Sequence, residues 1–413
     1  MARRPPSGEI PPTAGLPPRW RDLLPSPAAP SLADGLAGLL GTERVQLECS
    51  GTAALIVALA TLQRTSGRRR VIVPAYTCPL VALAVAHCGL ELVPCDLAPC
   101  DLAPGSIDLD PALLAGLCDA DTLAVLPTHL GGRVADVATT LAIARDAGAW
   151  VIEDAAQALG ARVCDRAVGL AGDAGFFSLA VGKGLTTFEG GALVASDPAL
   201  AAALAETSRD IVPRRPAWEL RRSLELFAYH ALYRPRLLGL AYGMPLRRAL
   251  RRGDPVRAVG DDFSPPIPLH PLGAWRSRVG ARALERLPAF LAAAEARALP
   301  RAERLNRIAG VEVLGDRPGT SGTWPFLWVR MPDQGARDRV LQRLWGAGLG
   351  VSRLFIHALP DYPYLHGIVP AAEVPQARRL AATTLTVSNS PWLDEAAFEA
   401  ICSAITAAVA GRA

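Results

Sequence analysis

The chain has 413 residues, half of them hydrophobic, and a formal charge of +4. It is long enough for about two cores and too nearly neutral to imply a nucleic-acid partner. Lys183 is the only lysine; the other 42 of its 43 Lys and Arg residues are arginine. The cysteines (Cys49, Cys78, Cys88, Cys95, Cys100, Cys118, Cys164 and Cys402) form no Cys-x-x-Cys pair, and Cys95 and Cys100 have no nearby His partner. They read as free, buried thiols of a reducing, cytoplasmic setting, with no metal site.

Residues 1–30 are Pro-rich and read as an extended arm without the apolar core of a signal peptide. From Val45 onward, short apolar runs read as parallel strands: "RVQLEC", "RVIVPA", "ELVPCDL", "TLAVLPTHL", "AWVIEDA", "AGFFSL" and "GALVAS". Ala/Leu-rich helical stretches lie between several of them, at 52–63, 79–88, 111–118 and 136–147. This alternation predicts an α/β fold, a large and mostly parallel sheet covered by helices on both faces. The run "VIVPAYTCPLVALAVAHCGL" is long enough to cross a bilayer. Pro74 and Pro79 interrupt it, and Thr77 and His87 make it poorly lipophilic, so it reads as strand, turn and helix.

Residues 209–257 break the pattern. Twelve arginines stand against Asp210, Glu219, Glu225 and Asp254, a net +8, and aromatic and aliphatic residues are mixed among them. This basic excursion reads as helices with a solvated face, as the rim of a site for an anionic substrate, or as a peripheral membrane contact. A long helical stretch follows at about 272–307, and then a smaller α+β region. The expected division is an arm at 1–30, a large α/β domain at 31–271, and a linking helix with a small C-terminal domain at 272–413.

In doubly covered sheets ligands bind beyond the carboxyl ends of the strands. At "LECSGTAALIVALATL" a strand gives way to a helix at Ser50-Gly51-Thr52. Free N–H groups and the helix dipole there suit an anion, although Ser50 also suits an ordinary N-cap. At "VIEDAAQALG" an apolar strand ends in Glu153 and Asp154, with Gln157 one turn on. A buried Asp needs a partner, and the protonated ring nitrogen of a cofactor would be one. At "FFSLAVGKGLTTFEGG" Ser178 ends another strand and Lys183 follows among glycines. Arginine replaces a surface lysine at little cost, but not an amine that must lose its proton. A lysine near a phosphate cup and an aspartate suits a Schiff base with pyridoxal phosphate (PLP), the aspartate keeping the pyridinium protonated.

The ordered blocks "SGTAAL", "VIVPAYT", "LPTHLGGRVAD", "VIEDAAQALGA" and "GDAGFFSLAVGKGLTTFEGG" resemble the DegT/StrS family of PLP-dependent nucleotide-sugar aminotransferases, which are fold-type-I enzymes. The resemblance is strong over about 45–200 and weaker at "TLTVSNSPWL". It implies that Lys183 is the Schiff-base lysine and that Asp154 pairs with the pyridine nitrogen. Gln157 would contact the 3-hydroxyl side of the ring, and Gly51, Thr52, Ala53 and Ser178 would hold the phosphate. His129 falls in a shared block as a pocket-wall residue rather than an acid or base. Where the family often stacks an aromatic on the ring, this chain has Cys78; Tyr76 or a residue from elsewhere would take that place, or something small would cover the face. The family's segment that crosses to the neighbouring subunit has no clear match in "DDFSPPIPLHPLGAWRSRVG", where His270 and Arg276 are the candidates.

The resemblance further implies a homodimer and ping-pong transfer from an amino donor such as glutamate to a keto sugar nucleotide. The product would feed cell-surface polysaccharide or a glycosylated metabolite. Two alternatives stand beside it. One is a PLP-dependent sugar dehydratase, against which Lys183 argues, since those relatives resemble the family with histidine there. The other is a non-catalytic partner at a membrane surface.

Overall fold

Seven strands named by their apolar runs form one sheet in the computed structural model, which describes residues 8–24, 30–99, 107–264 and 266–411. Cys100 and arm residues 1–7 and 25–29 lie outside the described residues. Helix α1 (Leu32–Leu40) precedes strand β1 (Gln46–Glu48) and helix α2 (Gly51–Thr65). Strands β2 (Arg70–Pro74), β3 (Glu91–Cys95), β4 (Thr122–Val125) and β5 (Trp150–Asp154) alternate with helices α3 (Pro79–His87), α4 (Pro111–Leu117) and α5 (Val137–Asp146). A short hairpin, β6 (Arg162–Val163) and β7 (Arg166–Ala167), leads to β8 (Ala174–Ser178) and β9 (Gly191–Ala195). Residues Val71–Pro74 and all of β4 are buried, as strands covered on both faces must be.

The sheet order is β1-β9-β8-β5-β4-β2-β3, parallel from β3 through β8. One expectation fails here. "GALVAS", which is β9, runs antiparallel to β8 and to β1. A parallel neighbour needs a crossover of a dozen or more residues, usually a helix. The loop from β8 to β9 instead folds straight back, with Leu179 N–H bonded to Gly190 O at 2.7 Å and Thr187 N–H to Leu179 O at 3.0 Å. That hairpin loop carries Lys183. The chain lays β3 on one side of β2 and β4 on the other, so the crevice past β2 and β4 is a topological switch point.

Helix α6 (Pro198–Ile211) packs with α2 and α3 on one face of the sheet. The basic excursion is helical: α7 (Pro216–Leu232), α8 (Pro235–Leu238), one π turn at Gly239–Gly243, α9 (Met244–Arg251) and α10 (Pro255–Val259). The helical stretch expected at 272–307 is two helices, α11 (Ala274–Leu284) and α12 (Leu287–Asn306). Pro288, lacking an N–H, sits in the first turn of the second, where no donor is lost. Beyond them lies a four-stranded antiparallel sheet around Phe326–Arg330 and Thr384–Ser388, backed by the helices Gln334–Leu344 and Glu395–Val409.

The described part of the arm is stitched into the body. Glu9 N–H bonds to Pro235 O of the excursion, Ile10 N–H to Gly348 O, Ala14 N–H to Pro325 O, and Leu16 N–H to Gly184 O beside the lysine. Ile10, Ala14 and Leu16 are buried.

Candidate active site

The ends of four parallel strands and one helix converge on a cavity of about 380 Å³. Strand β2 delivers Thr77 and Cys78, β4 delivers Thr128 and His129, β5 delivers Asp154 and Gln157, and β8 delivers Ser178 and then Lys183. Helix α2 points its N-terminus into the same space through Gly51 and Thr52. The helix start and the strand end touch: a Cβ on Gly51 would lie 3.1 Å from Ser178 Cβ. Gly191 allows a tighter approach still, since a Cβ there would lie 2.2 Å from Ser50 O. Glycine at these points lets β9 and the lysine loop close over the start of α2.

Strand alternation assigns the two acids of "VIEDAA" to different sides. Glu153 turns inward and is saturated: its carboxylate accepts from Gly169 N–H (2.8 Å), Ala171 N–H (2.6 Å), Gly172 N–H (2.7 Å) and His129 Nε2 (2.9 Å). Burial would raise its pKa, but the hydrogen bond from His129 and the N–H groups of Gly172 and Gly169 hold it below the usual carboxylate value. Asp154 faces the cavity. Among the described residues its Oδ1 accepts only Ala156 N–H, at 3.0 Å. Burial raises its pKa, against the Ala156 hydrogen bond and the charge of Lys183. Lys183 is half-buried, and its pKa is lowered by burial, against Cys78 and Asp154.

His129 is a wall. Its Nδ1 accepts Ala135 N–H at 3.0 Å, which leaves Nε2 to carry the proton donated to Glu153. Both ring nitrogens are used, so neither is free for proton transfer. Gln157 lines the cavity with its Oε1 accepting Gly131 N–H at 2.6 Å. Cys78 lines it as well, its thiol pushed up to about 12 by burial.

Three of the residues named from sequence sit elsewhere. Ala53 is fully buried, and its N–H is taken by the Ser50 hydroxyl at 3.0 Å, so it has no donor left for a phosphate. Tyr76 is buried off the cavity, stacked on Trp328 with its hydroxyl between Phe355 O (3.1 Å) and Phe355 N–H (3.2 Å). It joins the large sheet to the C-terminal one and leaves the ring position to others. His270 is buried against Trp218, its Nδ1–H on Pro271 O at 3.0 Å, away from Lys183.

Arg276 is used within its own chain. It forks onto Glu219 at 2.9 and 2.6 Å and donates to the Thr187 and Glu189 carbonyls. It thereby clamps the excursion to the end of the lysine loop. Arg276→Ala should strand Glu219 and lower the unfolding free energy by about 3 kcal/mol, measured by denaturant titration.

Other residues lining the cavity were not singled out in the sequence. The Thr77 hydroxyl is buried without a hydrogen-bond partner among the described residues. Arg353 enters no ion pair there; it donates to Ile356 O and Ala381 O at 2.8 and 2.6 Å, and burial pushes its pKa down to about 10. Asp261, pushed up to about 6 by burial against its hydrogen bonds from Tyr362 and Ile356, also faces the cavity. Tyr242 and Phe263 supply aromatic rings from the excursion and the segment after it. The signal for Arg353 was an arginine inside the apolar run "GLGVSRLF".

A second, mostly apolar cavity of about 540 Å³ shares Pro12, Thr13, Val181, Lys183, Tyr242 and Val259 with the first. Helix α7 walls it with Tyr229 and Tyr233, which stack at 4.6 Å. Its carboxylate, Glu225, is held by Arg221 at 3.0 Å and Arg222 at 2.6 Å. Lys183 therefore stands between a polar and an apolar space.

Residues 24–217 match the model of the DegT/DnrJ/EryC1/StrS aminotransferase family. Over 183 residues the chain is 40% identical to the L-glutamine:2-deoxy-scyllo-inosose aminotransferase of Micromonospora echinospora, covering 43% of this chain and 42% of that one. Over 153 residues it is 40% identical to the dTDP-3-amino-3,4,6-trideoxy-alpha-D-glucose transaminase of Streptomyces venezuelae, covering 37% and 39%. The chain thus spans about two fifths of the length of these curated relatives. The crystal structure of S. venezuelae DesV superposes with a TM-score of 0.68 at 25% identity, covering 91% of this chain and 87% of that one. The fold is that of the fold-type-I PLP aminotransferases, and PLP is the cofactor this site is built for. The residues present fit it: an N-terminal helix cup against Ser178, an aspartate short of a partner, an orphaned Thr77 hydroxyl and a half-buried lysine share one cavity.

Proposed function

We propose that this chain is a PLP-dependent aminotransferase, moving an amino group from an amino acid such as glutamate to the ketone of a sugar nucleotide. The observation that carries this is Lys183, the chain's only lysine, held with a lowered pKa on the cavity that Asp154 faces. When bound, PLP supplies an electron sink for the carbanion at the substrate's α carbon. The chain's residues do the rest. The Gly51 and Thr52 N–H groups and the Ser178 hydroxyl would hold the phosphate, and Asp154 would keep a proton on the ring nitrogen. Gln157 would serve the 3-hydroxyl side, and Cys78 and His129 wall the pocket. Lys183 Nζ moves the proton, because His129 has no free nitrogen.

Arg353 holds the donor's carboxylate. Arg353→Gln should raise KM for the amino donor roughly 10- to 100-fold with a smaller change in kcat, in steady-state kinetics. A PLP-dependent dehydratase remains the second enzyme reading, disfavoured by lysine at position 183.

Names among the relatives include a dTDP-sugar transaminase, which supports a sugar-nucleotide acceptor, and a spore coat polysaccharide biosynthesis protein, which supports a product destined for polysaccharide. A homodimer and a cytoplasmic location belong to the same proposal, and a peripheral membrane contact through 209–257 is proposed apart from the chemistry. The deciding experiment offers amino donors with keto sugar nucleotides to the PLP-loaded protein and looks for the aminated sugar. Formation of an amino sugar supports the reading, and loss of water without amination would replace it with the dehydratase.

A further inference from the structure

We infer that the helical excursion seats this protein on an anionic bilayer, with an apolar ridge in the interface and an arginine basin on the headgroup phosphates. The inference rests on the surface of residues 216–257 and is independent of the chemistry at Lys183. Seven of the thirteen large hydrophobic side chains exposed among the described residues fall within 216–244. On α7, Leu220, Leu224 and Phe227 are 62%, 63% and 52% exposed at i, i+4 and i+7. That spacing makes one stripe, opposite the buried Leu226, Tyr229 and His230. Over α8, the π turn and the start of α9, Leu237, Leu240 and Met244 are exposed in turn at i, i+3 and i+7. Trp20 extends the ridge, its ring 5.8 Å from that of Phe227 and 47% exposed.

The basin adjoins the ridge. A cavity of about 870 Å³ is lined by Leu240 and Met244 together with Arg247, Arg248, Arg251, Arg252 and Arg257. Arg247 is held by Glu9, at 2.7 Å, but Arg248, Arg251 and Arg252 enter no ion pair among the described residues. The one carboxylate there, Asp254, caps α10 by accepting Arg257 N–H.

Charge chooses the occupant. A second copy docked by a two-fold contact would press this segment, net +6 over 216–257, against itself, and like charges face to face are repulsive. A nucleic acid would satisfy the arginines and leave the ridge in water. An anionic bilayer offers phosphates and an apolar interior together. No helix among the described residues is long and apolar enough to cross a membrane, so the seat is peripheral. Leu232 lines the chamber beside Lys183 and is 37% exposed on the same helix, so that chamber opens among the docking helices.

The test is co-sedimentation of the full, PLP-loaded chain with vesicles of phosphatidylcholine, with and without phosphatidylglycerol. Binding is expected only with phosphatidylglycerol and should weaken with salt. Arg248→Glu/Arg252→Glu should weaken it at least roughly five-fold per arginine, and Leu224→Glu/Phe227→Glu should abolish pelleting. Both variants should keep the wild-type near-UV dichroism and cofactor spectrum, their side chains being exposed. Failure to bind anionic vesicles, or binding that neither variant alters, would overturn the inference. So would light scattering that shows a stable dimer split into monomers by Leu224→Glu/Phe227→Glu, because the ridge would then be covered by a second copy.

Discussion

Lys183→Arg is expected to lower kcat for amino transfer by at least about 10⁴-fold while the fold, followed by circular dichroism, is kept. Arginine is the residue this chain uses at every other basic position, which makes it the fairest replacement. It preserves the positive charge and much of the reach. It cannot preserve an amine that sheds its proton, since guanidinium stays charged and is a poor nucleophile. Burial lowers the Lys183 pKa and so raises the share of neutral amine at any given pH. In the wild-type apoprotein, reaction with added PLP should therefore rise with pH through an apparent pKa below the ordinary lysine value. Stopped-flow absorbance at several pH values measures it. A rise centred at or above the ordinary value would mean that the amine is solvated.

Asp154→Asn is the second large effect, and it should move activity and stability in opposite directions. Without its carboxylate the ring nitrogen of the cofactor loses its counter-charge, and kcat/KM should fall about 10²- to 10³-fold. The apoprotein should instead gain about 1 kcal/mol at neutral pH, because a buried, under-partnered charge is removed. The sign follows from linkage. The pKa of Asp154 is raised in the folded state, so folding favours its protonated form. The stability linked to that proton is fully present below the unfolded-state pKa and is lost as pH rises through the folded-state value. The gap between wild type and Asp154→Asn should therefore close as pH falls towards about 4. Urea titrations of both apoproteins at neutral and acid pH measure it. A wild-type apoprotein more stable than Asp154→Asn at neutral pH would show that Asp154 has a protein partner after all.

The strands were legible because both faces of the sheet are covered, which leaves unbroken apolar runs. The direction of β9 was not, because an apolar run carries no sign of direction. The clue was the glycine content of the lysine loop, with Gly182, Gly184 and Gly190, which disfavours a crossover helix. Asp154 and Ser178 could be read because each ends a strand, and Gly51 and Lys183 because each lies in the short stretch just beyond one; the structure brings all four to one cavity. Ala53 shows the limit of reading a helix start: the serine that marks the cup also takes the third N–H for its own cap. Tyr76 and His270 were chosen by residue type in the right segment, but their side chains point into packing that only the assembled fold defines. Arg353 and Tyr242 come from parts of the chain distant from Lys183 in sequence. No local pattern could place them at the site.

The most direct measurement is the absorbance of PLP-reconstituted protein, wild type and Lys183→Ala, titrated with glutamate and a panel of other amino donors. The wild type should show a band near the visible edge that bleaches with at least one donor, and Lys183→Ala should lack that band. A wild type with no chromophore, or a band that survives in Lys183→Ala and bleaches equally well, would contradict the central role of Lys183.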